Sequence, residues 1–154
     1  MSKSKLIAII DTREQQPLDL GKYGLEVVTE TLTHGDYSLK YPDLRRHVAI
    51  ERKSLPDLVA CCGRERDRFN RELLALRGYR HRYVVCEFTM SDIVEHRYRS
   101  KILPQSVIGS IARWSTMGVP FVFADNAEIA SRITAKLLTM IATEVIEFSK
   151  AATA

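Results

Sequence analysis

Leu6 to Ile10 is an unbroken apolar run, opened by Lys5 and closed by Asp11, which is the pattern of a strand buried on both faces. Gln15 to Gly24, punctuated by Pro17, Gly21 and Gly24, is a loop. Leu25 to Leu32 alternates as a strand does, Gly35 breaks the alternation, and Tyr37 to Tyr41 resumes it. Pro42-Asp43-Leu44-Arg45-Arg46 then connects a hairpin to a returning strand, His47 to Glu51. From Ser54 the apolar period lengthens from about 2 to about 3.6. Ser54-Leu55-Pro56-Asp57 opens a helix with a capping serine, an early proline and an acid at the third position. Phe69, Leu73, Leu74 and Leu76 continue its apolar stripe to Gly78.

The second half alternates more regularly. Tyr83 to Phe88 is a buried strand, and Pro104 to Met117 is a helix with Val107, Ile108, Ile111 and Trp114 on one stripe. Val119 to Phe123 is a short last strand. Asp125-Asn126-Ala127-Glu128 caps a terminal helix that buries Ile129, Ile133, Leu137, Ile141, Val145 and Phe148. A strand, a hairpin, and then helix and strand in turn predict an α/β fold, a mixed sheet with helices on both faces.

At 154 residues, the chain has the size of a single domain, expected to span 1–154. With 45% hydrophobic and 27% charged residues it is neither disordered nor collagen-like. The formal charge of +4 is a weak pointer to polyanions, but its distribution is stronger. Arg64, Arg66, Arg68, Arg71, Arg77, Arg80 and Arg82 crowd one segment, and Arg97, Arg99 and Lys101 form a second group. The 3 cysteines have neither disulfide nor C-x-x-C spacing, and Met1 to Lys5 leads into too few apolar residues for a signal or a membrane span. The expected location is the cytosol, or the nucleus in a eukaryote, with no membrane partner.

Carboxylates fall where strands end. Asp11 follows the first strand, Asp36 stands at the break before the hairpin, and Glu51 closes the returning strand. Lys53 lies two residues beyond Glu51, so on a strand the two share a face and Arg52 points away. A divalent metal held by Asp36 and Glu51 would polarise a phosphodiester and help to deprotonate a water, with Lys53 offsetting developing charge. Acids at strand ends and an E-x-K triplet are also common on solvated sheet edges.

The strings in which these residues occur are more specific. Asp11-Thr12-Arg13-Glu14, Gly35-Asp36-Tyr37, and Glu51-Arg52-Lys53-Ser54 followed by Asp57-Leu58 resemble the D-x-R-E, G-D-Y and E-R-K-x-x-x-D-L signatures of the XPF-type structure-specific endonucleases. Arg64 and Arg68-Phe69 in a basic helix, and a strand ending at Glu87, match the later pattern, so the resemblance runs from about Leu6 to Phe148. It implies the restriction-endonuclease-like PD-(D/E)xK fold and cleavage of branched duplex DNA with Mg²⁺ or Mn²⁺, in repair or recombination. Asp36, Glu51 and Asp11 would be the metal-site acids and Lys53 the catalytic lysine. Arg13, Glu14 and Arg52 would support the site or contact phosphate, and Tyr37 would pack beneath it.

The resemblance also implies a homodimer through the nuclease domain, with some of Leu138, Ile141, Val145 and Phe148 facing the partner. Arg64 and Arg68 are the first candidates for DNA contact. The stretch from Asp36 to Glu51 is longer than the family pattern, which extends the hairpin and makes Arg45 and Arg46 further candidates. No helix-hairpin-helix or helicase segment is present in these 154 residues, so a heteropartner supplying junction recognition is an alternative to the dimer. Two other functions fit the same residues: a catalytically silent DNA-binding scaffold, and a nuclease of this fold acting on unbranched DNA.

Overall fold

In the computed structural model, which describes residues 5–154, six strands form one sheet in the order β2-β1-β3-β4-β5-β6. These are β1 (Ile7–Asp11), β2 (Glu26–Glu30), β3 (Tyr37–Tyr41), β4 (Val48–Lys53), β5 (His81–Cys86) and β6 (Phe121–Phe123). The hairpin strands β3 and β4 are antiparallel, and β1 is antiparallel to β3. β1 with β2, β4 with β5 and β5 with β6 are parallel. The sheet is therefore mixed, with helices on both faces. Most of the Met1–Lys5 lead-in lies outside the described residues.

One face packs against α5 (Ala127–Thr153), whose Ala130, Leu138 and Ile141 meet Ile10, Tyr37, Leu39, Ile50 and Val85. The other face carries α1 (Leu55–Cys61), α2 (Arg66–Leu76), α3 (Met90–Val94) and α4 (Pro104–Ser115). Its core gathers Leu58, Phe69, Leu73, Ile111 and Trp114 over Ala49, Val84 and Cys86. Trp114 is fully buried, stands at 4.8 Å edge-to-face to Phe69, and donates its indole N–H to Asn70 Oδ1 at 2.9 Å. β4 and β5 contribute to both cores, while Ala8 and Ile10 of β1 join the core under α5 and Ile9 between them is fully buried.

Several boundaries differ from the sequence reading. The helix expected from Ser54 to Gly78 is two helices, broken by tight turns in which the Gly63 N–H bonds Ala60 O and the Arg66 N–H bonds Gly63 O. A side chain at Gly63 would come within 3.2 Å of Ile102 Cδ1, so the corner is closed by packing as well as by turns. The new axis of α2 leaves Leu74 52% exposed while Phe69, Leu73 and Leu76 are buried. Strand β2 is shorter than Leu25 to Leu32, β5 is shifted back from Tyr83–Phe88, and the last helix is capped by Asn126 Oδ1, which accepts from the Ile129 N–H. The short α3 went unpredicted; a reciprocal Thr89–Asp92 capping box holds it. No described helix is long and apolar enough to cross a membrane.

Candidate active site

Backbone pairing brings three distant strings to one point. The Asp11 N–H bonds Asp36 O at 2.9 Å, and the Asp36 N–H bonds Ile50 O at 2.8 Å, one residue before Glu51. Gly35 makes the second approach possible. Its φ is +79°, and a Cβ there would meet Ala49 Cβ at 3.2 Å and the Ile50 backbone at 3.3 Å. The strand ends then wall a cavity of about 230 Å³ lined by Asp11, Arg13, Asp36, Glu51 and, from α2, Glu72.

The acids in this cavity are not equivalent. Asp11 is 2% exposed, and both of its oxygens are engaged: Oδ2 accepts from Arg13 Nε at 2.8 Å and Oδ1 from the Leu32 N–H at 2.9 Å. Burial alone would raise its pKa, but these bonds and the Arg13 charge hold it below the ordinary value. Asp36 accepts the Arg52 N–H at 2.8 Å, yet burial and the charges of Glu14 and Asp11 push it up to about 6. Glu51, its side chain 14% exposed, is raised to about 8 by burial first and by the Asp36 charge next.

One cation faces these acids from within the fold. Lys53 Nζ lies 3.6 Å from Glu51 Oε1 and 5.0 Å from the centroid of the Phe69 ring, with its side chain 9% exposed. Burial works against its charge, but Glu51, Glu72 and Asp36 together raise its pKa and keep it an ammonium. A single ammonium cannot balance three carboxylates, and Glu72 Oε2 is buried without a hydrogen-bond partner among the described residues. The cavity therefore carries surplus negative charge. No group of three His, Cys, Asp or Glu side chains among the described residues encloses a metal position. An open, partial carboxylate set of this kind suits Mg²⁺, which keeps waters and takes one or two carboxylates plus substrate phosphate.

Arg52 points to the other side of β4. It pairs with Glu14 at 3.1 Å and with Glu87 at 3.1 and 3.2 Å, and it also donates to Gln16 O. Its guanidinium is thereby committed to protein partners, in a supporting position away from the cavity. Glu14 Oε2 also accepts the Tyr37 hydroxyl at 2.6 Å, and that hydroxyl accepts the Leu18 N–H at 2.8 Å. Tyr37, fully buried, thus links the loop after β1 to β3 and β4 beneath the site. Arg13, with its side chain 68% exposed, stays at the cavity rim beside Asp11.

The basic candidates are scattered. Arg45 and Arg46 sit at the far end of the hairpin, five residues of β3 away from Asp36, or about 17 Å at ~3.3 Å per residue. Arg45 is paired there with Glu30 and Asp43. The structure does not bring these two to the acids. Arg68 is exposed and pairs with Glu65 at 2.9 Å, and Arg64 stands exposed at the α1–α2 corner. His34 lines the cavity rim, its Nδ1 3.2 Å from the Tyr79 hydroxyl.

Glu72 is the site residue that the sequence reading missed. It lies between Arg71 and Arg77 in a basic segment, where an acid reads as one more surface charge. The available signal was its phase, since Phe69, Glu72, Leu73 and Leu76 occupy i, i+3, i+4 and i+7, which puts an acid on the buried stripe of α2.

Comparison with known proteins bears on the fold and the family. The XPF from Aeropyrum pernix is similar at a TM-score of 0.71 and 18% identity, over 92% of this chain and 69% of that one. The same protein in complex with DNA is similar at 0.72 and 19%, over 91% of this chain and 66% of that one. The chain thus spans about two thirds of the length of these structures, and the likeness is one of fold. No curated protein matches the sequence. The family model described as ERCC4 domain matches residues 10–137, which covers all three strings and α2, and the chain belongs to that family.

Proposed function

We propose that the chain is a divalent-metal-dependent endodeoxyribonuclease that hydrolyses phosphodiester bonds in branched DNA, such as flaps or forks. The observation that carries this reading is the surplus of buried carboxylate around one ammonium, with Asp36, Glu51 and Glu72 facing Lys53 in a cavity open to solvent. Membership of the ERCC4 domain family, and a similar fold in a structure titled as a complex with DNA, support DNA as the polymer.

Asp36 and Glu51 would hold Mg²⁺ or Mn²⁺, with Glu72 as the next acid at hand. Bound there, the metal would polarise the phosphate and lower the pKa of a water. The residues of the chain do the rest. Tyr37, Glu14 and Arg52 fix β3 against β4, so that the two carboxylates keep their spacing. Asp11 holds Arg13 at the rim, where its exposed guanidinium can receive a phosphate oxygen. The Lys53 ammonium stabilises charge on the phosphoryl oxygens as water adds to phosphorus and the bond to the leaving oxygen breaks.

A homodimer belongs to the same proposal. Phe148 is 78% and Met140 58% exposed on α5, and a second copy docked there would cover these apolar side chains. The intact acids and Lys53 weigh against a silent scaffold. To test the reading, purified protein, Asp36→Asn and Lys53→Ala are incubated with flap, fork, duplex and single-stranded oligonucleotides in Mg²⁺ or Mn²⁺. Metal-dependent cutting of the branched substrates, lost in both variants, is expected. Cutting that survives both substitutions would place the chemistry elsewhere.

A further inference from the structure

A second cavity, of about 570 Å³, lies outside the acid site. That volume is within the ~300–1,000 Å³ range of ligand-binding clefts. It runs between α1 and the loop that joins α3 to α4. Val59 and Ile102 give it an apolar floor, while Arg64, Arg97 and Arg99 stand at its rim with Tyr98 between them. Arg64 lies more than 30 residues from Arg97 and Arg99 in sequence and meets them only through the fold.

The loop is held in shape before anything binds. His96, at φ +54°, stacks on Tyr98 with ring centroids 4.2 Å apart and donates from Nε2 to Ser100 O at 2.7 Å. The Tyr98 hydroxyl donates to Ile102 O at 2.6 Å, and Ser100 Oγ accepts the Ile102 N–H at 3.2 Å. Of the nearby acids, Asp92 and Glu95 pair with Arg97, and Glu65 pairs with Arg68. Arg64, Arg99 and the adjacent Lys101 are left without a carboxylate partner among the described residues. The result is a preorganised basic rim over an apolar floor.

We infer that this groove binds single-stranded DNA, with phosphates on Arg64 and Arg99 and a base or sugar against Tyr98, Val59 and Ile102. A duplex offers its phosphates but keeps its bases stacked inside, so it leaves the apolar floor unused, whereas an unpaired strand fits both parts. The groove and the acid cavity flank one corner, because α2 runs from Arg66 beside the groove to Glu72 in the cavity, six residues or about 9 Å at ~1.5 Å per residue. This assignment rests on the DNA-cutting reading, and it adds the strand form that the enzyme grips.

The test is fluorescence anisotropy of the full chain with labelled single-stranded and duplex oligonucleotides in EDTA, where nothing is cut. Arg64→Ala/Arg99→Ala is compared with Arg64→Lys/Arg99→Lys, with circular dichroism and melting as checks of folding. The alanine pair is expected to weaken single-strand binding at least about tenfold and duplex binding less than about twofold, with the lysine pair close to wild type. The slope of log affinity against log salt should fall by roughly 1.4 in the alanine pair, at about 0.7 per lost single-strand contact. Unchanged single-strand binding, or an equal loss on duplex, overturns the groove even if metal-dependent cutting is intact. Wild-type protein that binds neither form removes the DNA reading itself.

Discussion

At the scale of single residues, the site combines groups whose charges oppose one another. Asp36 is raised by burial and by the charges of Glu14 and Asp11, and Glu51 by burial and then by the Asp36 charge. Asn at 36 or Gln at 51 should therefore abolish cutting and also raise the melting temperature of the metal-free protein, a pairing that loss through misfolding would not produce. Added Mn²⁺ should raise the wild-type melting temperature and leave both variants unmoved, as ligand linkage requires. Lys53→Ala should lower the cutting rate by about 10²–10³-fold at unchanged metal affinity, read by single-turnover kinetics and calorimetry.

Burial of Glu51, with the Asp36 charge beside it, sets a pH dependence. The folded chain keeps the Glu51 proton up to about 8, whereas the unfolded chain releases it near the ordinary value of 4.5. The stability this contributes is complete at low pH and is lost as pH rises through that window in the absence of metal. Urea denaturation in EDTA at pH 5 and pH 8 should show it as a decline that is shallower in Glu51→Gln. Asp11, Asp36, Glu51 and Lys53 were legible in sequence because each falls at or near a strand end, where its neighbours are turn residues and apolar runs. Glu72 was not, because charge next to charge in sequence conceals which side of a helix each one takes.

At the scale of elements, local signals told most and pairing least. Capping residues marked the starts of α1 and α5, and the hairpin was readable from Pro42 to Arg46. The parallel addition of β2 to β1 has no local signature, since nothing in Leu25 to Leu32 specifies an edge position. The α1–α2 break is made by local turns around Gly63, with Ile102 close to that glycine from a distant loop, and the continuous apolar stripe concealed it. That break gives a direct check. Leu73, fully buried, should cost about 2–5 kcal/mol as Leu73→Ala. Leu74→Ala, on the outward side, should stay within about 0.5 kcal/mol, both read by urea denaturation. A single unbroken helix with both leucines inward would make the two losses similar.

At the scale of the whole molecule, the sheet separates two tasks. One face, under α5, holds the strand ends in place, and the other, under α1 and α2, supplies Glu72 and the corner between the cavities. The exposed end of α5 is where a second copy would dock. Phe148→Glu should leave the melting temperature within a few degrees of wild type but shift the mass measured by light scattering from dimer to monomer. The crowding of Asp36, Glu51 and Glu72 around one lysine also has an evolutionary reading. If neutralising Asp36 or Glu51 gains stability as expected, a lineage released from the need to cut would drift downhill toward an inert fold. Silent members of such a family are then the expected end point of relaxed selection, with the acids lost first and the β-sheet last.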